Sequence, residues 1–244
     1  MSGTDDASLP RLWSRLGVMF GTAPAPDEPD LERLLLASAQ SLPHNGRLFP
    51  TIATWLVEYG NAVARRRLAR LAAAELGPED RSALGLLLDA VAEHGGPADL
   101  TGIVPCTPVD PPCPLSAEFR RTPALVAISE RTASPLSKRW GLWHPEIALK
   151  RDAVRPASWV LAHNPTYRDR LLRKGDLRCS IVEALRHDAP EGRTRSEAEL
   201  ARLAGATRAA VRKALADLVR EGDVEVLPRA ENARDHAVVL HRAA

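Results

Sequence analysis

The sequence predicts a mainly α fold: a helical N-terminal domain, then a helix-turn-helix that ends in a β-hairpin wing. Three observations predict it. Apolar residues recur at three- and four-residue spacing through most of the 244 residues, the period of a helix with one buried face. Glycine and proline fall between those runs, where helices start and stop. Short β-branched and aliphatic runs sit close together near the C-terminus, over 224–227 and 237–240, with a polar turn between them.

In chain order, 1–30 is polar, acidic and dotted with proline, and reads as a flexible arm with a short helix around 9–16. Residues 31–96 read as a helical domain. A helix opens over 31–40, and Ile52, Trp55, Leu56 and Tyr59 keep helical spacing up to Gly60. The next helix, 62–76, carries Arg65, Arg66, Arg67 and Arg70 and closes at Gly77-Pro78. Leu84, Leu87, Leu88 and Val91 form the inner face of the helix after it. Two readings of this block stand. One is a packing or dimerisation domain whose arginines are a solvated face or lie over apolar neighbours. The other is a second helix-turn-helix, with Arg65, Arg66, Arg67 and Arg70 as a second DNA contact through their attraction to phosphate. No hairpin pattern follows residue 76, which favours packing.

Residues 97–123 read as a proline-rich linker, because Pro97, Pro105, Pro108, Pro111, Pro112, Pro114 and Pro123 exclude a helix. A connecting helical region, 124–165, follows. Its first residues, 124–128, fit a short strand or a helix turn equally well. Pro145, Pro156 and Pro165 sit where helices begin. Trp140, Trp143 and Trp159 are expected to bind this region to the C-terminal module or to a partner subunit. A base-stacking platform is the lesser reading, since these rings cluster around Gly141.

The C-terminal module, 166–244, carries the chemistry. Leu177, Ile181, Ala184 and Leu185 stripe its first helix. Ser196 with Glu199 forms a capping box that starts the second. Gly205 ends it, and Thr207 caps the third. Val211, Ala214, Leu215, Leu218 and Val219 fall on one side of that third helix; Ala209, Arg212, Lys213, Ala216 and Arg220 fall on the other. Small alanines between cations let a backbone come close to a surface while Arg208, Arg212 and Lys213 reach past it. A major groove admits such a helix, and arginine pairs there with guanine or grips phosphate. The hairpin tip would hold Arg229, Asn232, Arg234 and His236.

The stretch from Ser196 to Arg242 resembles the DNA-binding domain of GntR-type bacterial transcription regulators. Ser196-Glu197, Glu199-Leu200-Ala201, Gly205, Thr207-Arg208, Val211-Arg212, Ala214-Leu215, Leu218 and Glu221-Gly222 occupy family-like positions. The resemblance implies that Thr207, Arg208, Arg212 and Lys213 face DNA and that the hairpin is a wing. Such regulators place this domain first, whereas here it comes last, and the wing lacks their glycine-rich tip. The expected DNA-binding set is therefore Arg195, Ser196, Thr207, Arg208, Ala209, Arg212, Lys213, Arg229, Asn232, Arg234 and His236.

The remaining composition narrows the function by elimination. No phosphate-cradling glycine loop, HExxH or GxSxG motif occurs, so no enzyme is expected. Cys106 and Cys113 lie in the proline-rich stretch without the paired ligands of a zinc site, and no metal or other cofactor is expected. Three cysteines suit no disulfide framework. No apolar run has the ~20 residues of a membrane span and no signal peptide is recognised, so a cytoplasmic protein is expected. The net charge of +2 is compatible with nucleic acid. The sequence thus predicts a dimeric regulator of transcription that binds double-stranded DNA and represses, in the first instance, its own promoter. The alternative is an antitoxin-like or defence-system adaptor whose N-terminal helices hold a protein partner.

Overall fold

The computed structural model describes residues 9–227 and 236–241. It is mainly helical and carries a small antiparallel sheet near its C-terminus. The chain divides into two compact units, Met1–Gly60 with Leu71–Arg168, and Asn61–Arg70 with Asp169–Ala244.

The first unit begins with α1 (Leu9–Arg15), α2 (Leu31–Ser41), α3 (Leu48–Tyr59), α4 (Arg65–Glu75, from Leu71 on) and α5 (Pro78–Glu93). Helix α5 is its centre. Every residue from Ser82 to Val91 is buried, because α2 and α3 both pack on it. The arm expected over 1–30 is, from Leu9 to Val18, part of this core, whereas 19–30 stays largely at the surface apart from the buried Ala25. Trp13 and Leu16 have no exposed surface. The Trp13 indole donates to Ser38 Oγ at 2.9 Å, and the Trp55 indole donates to the Leu16 carbonyl at 2.8 Å. The two indoles meet edge to face, 5.5 Å apart, burying large apolar area while both N–H groups keep a partner.

The segment 97–123 lacks an α-helix, as its prolines require, but holds single 3-10 turns at Ala98–Leu100 and Glu118–Arg120, and it is no free linker. Leu100 and Leu115 are buried, and Ser82 Oγ donates to the Thr107 carbonyl at 2.7 Å. Strand β1 (Cys113–Pro114) pairs in parallel with β2 (Leu142–Trp143). Between them, 124–128 falls inside α6 (Pro123–Thr132), where Thr122 accepts from the Leu125 N–H, and α7 (Pro135–Arg139) follows. Pro145 starts no helix: the strand end leads into irregular chain, and the His144 carbonyl is taken by Ser134 N–H and Ser137 Oγ. Trp140 fixes this region to α5 rather than to the C-terminal module. Its ring lies against Gly85, where a Cβ would come within 2.1 Å of it, and its N–H donates to Asp89. Helices α8 (Ala157–His163) and α9 (Thr166–Arg173) begin beside Pro156 and Pro165 as expected. Trp159 stacks on His163 at 3.9 Å.

The second unit holds the start of α4, the end of α9, then α10 (Leu177–His187), β3 (Arg193–Thr194), α11 (Glu197–Ala204), α12 (Arg208–Glu221), β4 (Val224–Val226) and β5 (Val238–Leu240). The sheet order is β3-β5-β4, with antiparallel pairing. Ile181, Leu185, Leu200, Leu203, Val211, Leu215, Leu218, Val224 and Val238 form one core, so the hydrophobic stripes anticipated on α10, α11 and α12 all face inward. Val219 departs from that set at 45% exposed.

Candidate nucleic-acid interface

The local chemistry that positions α12 begins one helix earlier. Ser196 Oγ accepts from the Glu199 N–H at 3.0 Å, while the Glu199 carboxylate reaches back to the Arg195 N–H at 2.7 Å. These two bonds satisfy amide groups that the start of α11 leaves without helical partners. Gly205 then takes φ +69°, a left-handed conformation that favours glycine. Space demands glycine as well: a Cβ here would lie 2.5 Å from the Arg66 carbonyl oxygen. Thr207 Oγ1 accepts from the Ala210 N–H at 3.3 Å, and α12 runs from there to Gly222, at φ +81°.

Helix α12 has one buried and one open face. Val211, Ala214, Leu215 and Leu218 are buried, whereas Thr207, Arg208, Ala209, Arg212, Lys213, Ala216 and Arg220 are exposed. The open face carries its cations in a defined arrangement. Glu197, only 6% exposed, lies under them at the start of α11. Its Oε2 accepts from Arg208 Nε at 3.3 Å and from Arg212 Nη2 at 2.7 Å. The arginine side chains nevertheless remain 48% and 61% exposed. One buried carboxylate thus orders two guanidinium groups without covering them. At the far end Arg220 pairs with Asp217 at 3.0 Å.

The other residues expected to touch DNA divide into three sets. Arg195 is exposed beside this face, whereas the Ser196 hydroxyl is engaged in the cap. His236 is exposed just before β5, Nδ1 3.3 Å from the Leu227 carbonyl, and the Leu227 N–H donates to Ala237. Arg229, Asn232 and Arg234 lie outside the described residues.

The second contact expected at Arg65, Arg66, Arg67 and Arg70 needs correction. Arg67 is 0% exposed and grips Asp188 with both Nε, at 2.8 Å, and Nη2, at 3.0 Å. Arg70 donates to the same carboxylate at 2.7 Å. Arg65 Nε donates to the Gly175 carbonyl. Of the four, only Arg66 has an exposed side chain. The start of α4 is a support for the second unit, where Arg65, Arg67 and Arg70 bind protein groups.

Two residues central to this arrangement, Glu197 and Asp188, carry no sequence signal of their role. Glu197 reads as an acid in the first turn of a helix, and its partners lie 11 and 15 positions on. Asp188 reads as an ordinary turn residue, 121 positions from Arg67. Among the described residues no group of three or more histidine, cysteine, aspartate or glutamate side chains could hold a metal ion, and no helix is long and apolar enough to cross a membrane.

Comparison of the chain with protein-family models, curated proteins and solved structures finds no match in any of the three.

Proposed function

We propose that the protein binds double-stranded DNA through α12 and regulates transcription, as a dimeric repressor of its own promoter. The observation that carries this reading is the open face of α12: alanines and a threonine at its surface, with Arg208 and Arg212 ordered by Glu197 and Lys213 beside them. A generic solvated face would intersperse acids among its cations, and here no acid lies between Thr207 and Asp217. The order helix, strand, helix, helix, hairpin, with β5 central in the sheet, supports a winged helix-turn-helix of the GntR-like kind. In that arrangement α12 would enter the major groove and the hairpin would lie along the neighbouring backbone.

A symmetric dimer would read an inverted repeat with half-sites about 34 Å apart, or a multiple of that. Selection of bound duplexes from a random pool, followed by titration, tests the reading. The expected result is enrichment of one inverted repeat. With Arg212→Ala the preferred site should weaken by about 1–3 kcal/mol, with relaxed preference at one position. Failure to enrich any sequence, with equal loss on all duplexes, would reduce α12 to a phosphate contact. An absence of duplex binding would leave the adaptor reading, in which the module docks a protein.

A further inference from the structure

In the first unit, the chain at the end of α2, the segment 115–121 and β2 enclose an open cleft of about 730 Å³. That volume is in the range of drug-sized ligand sites, which run from about 300 to 1,000 Å³. Its walls include Phe49, Phe119, Trp143 and His144, in a chain that is only 4% aromatic. Phe119 is 37% exposed, so one ring is left in water at the edge of the cleft. Phe49 and His144 meet edge to face at 4.7 Å. His144 Nδ1 lies 2.7 Å from the Pro145 carbonyl. A carbonyl only accepts, so Nδ1 carries the hydrogen and Nε2 is left as an acceptor. Burial lowers the basicity of this imidazole, and at neutral pH the ring is an uncharged aromatic wall.

Charge enters through Glu118 and Arg121, which also line the cleft. Among the described residues neither belongs to an ion pair, although Arg120 between them is paired with Glu79 at 2.6 Å. Arg121 is the one lysine or arginine in the lining. A guanidinium binds a carboxylate through two parallel hydrogen bonds and is weakly hydrated, so it is well suited to an organic anion. Glu118 opposes a second negative charge on the ligand.

We propose that this cleft binds a small planar aromatic acid, its rings against Phe119 and Trp143 and its single carboxylate on Arg121. The proposal is independent of the DNA-binding reading, and its test contains no DNA. The full chain is titrated with 2-naphthoate and with its uncharged counterpart 2-naphthamide, by calorimetry and ligand-observed NMR. The acid should bind about tenfold more tightly than the amide, the effect of one charge-assisted hydrogen-bonded pair. Arg121→Gln should erase that preference. Gly46→Trp provides a second, steric variant. Gly46 also lines the cleft, its φ is not in the left-handed region, and no atom lies within 4 Å of a Cβ built there. A bulky side chain can therefore fill the mouth without strain, and it should weaken both probes together. The proposal is overturned if neither probe binds below about 1 mM, the weak limit for a fragment of this size. Equal affinities, or either variant without its effect in a chain of unchanged circular dichroism, overturn it equally.

Discussion

Replacing Asp188 by Asn should destabilise the second unit more than replacing Arg67 by Met. Asp188 follows the last turn of α10, and its N–H donates to the Ala184 carbonyl. A carboxylate there faces the negative end of the helix dipole, an unfavourable placement by about 0.3–1 kcal/mol. Its side chain is 4% exposed, and Arg67 and Arg70 both donate to it. Loss of its charge would take from the wholly buried Arg67 guanidinium the carboxylate that its Nε and Nη2 grip, and removal of one partner from a buried pair costs about 3–5 kcal/mol. Arg67→Met leaves Asp188 with Arg70 and removes the buried guanidinium altogether, so about 1–3 kcal/mol is expected, the cost of one lost buried hydrogen-bond partner. Against a typical domain stability of about 5–15 kcal/mol, the first loss is a large fraction. Urea unfolding of the full chain measures both, with the transition assigned to the second unit by hydrogen exchange of α10 amides. Equal losses in the two variants, or a loss below about 1 kcal/mol for Asp188→Asn, would refute the buried-pair reasoning. A flattened salt dependence of duplex binding in Arg67→Met would refute the assignment of α4 to support, because that slope counts phosphate contacts.

Three further outcomes are expected. Glu197→Gln should remove the buried charge that draws Arg208 and Arg212 inward, raising affinity for random duplex, steepening its salt dependence and narrowing the gap between preferred and random sites; filter binding across salt concentrations reads all of these, and an unchanged ratio would show that Glu197 does not order the face. Gly205→Ala should destabilise the second unit by about 1–3 kcal/mol, through left-handed strain and the collision with the Arg66 carbonyl; an unchanged denaturation midpoint would contradict both. The third concerns acid. Burial pushes the Glu183 carboxyl up, but Arg170, Arg186 and His187 outweigh it and hold the carboxyl well below the usual range. A depressed folded pKa contributes stability that is present above the ordinary carboxylate value and lost as pH falls through and below it. Denaturation midpoints of the second unit should therefore decline from about pH 5 downward, with a shallower decline in Glu183→Gln, and parallel profiles would disprove the assignment.

The sequence by itself determined the local features of this protein. The Ser196 and Thr207 caps, the Gly205 and Gly222 stops and the strands at 224–226 and 238–240 are properties of neighbouring residues, and each is found where the sequence puts it. The prolines of 97–123 likewise forbade an α-helix. Only the tertiary structure decided where those pieces are used. Composition made 1–30 look like an arm and 97–123 like a linker, yet Trp13, Leu16, Leu100 and Leu115 are core residues, because burial depends on what lies opposite and not on the polarity of sequence neighbours. The arginines of α4 show the same limit most sharply. A run of cations has one appearance in sequence whether it meets phosphate, water or a carboxylate, and only the fold brings Asp188 to Arg67 and Glu197 to Arg212. Electrostatic partners are chosen by distance in space, which the order of residues along the chain does not encode.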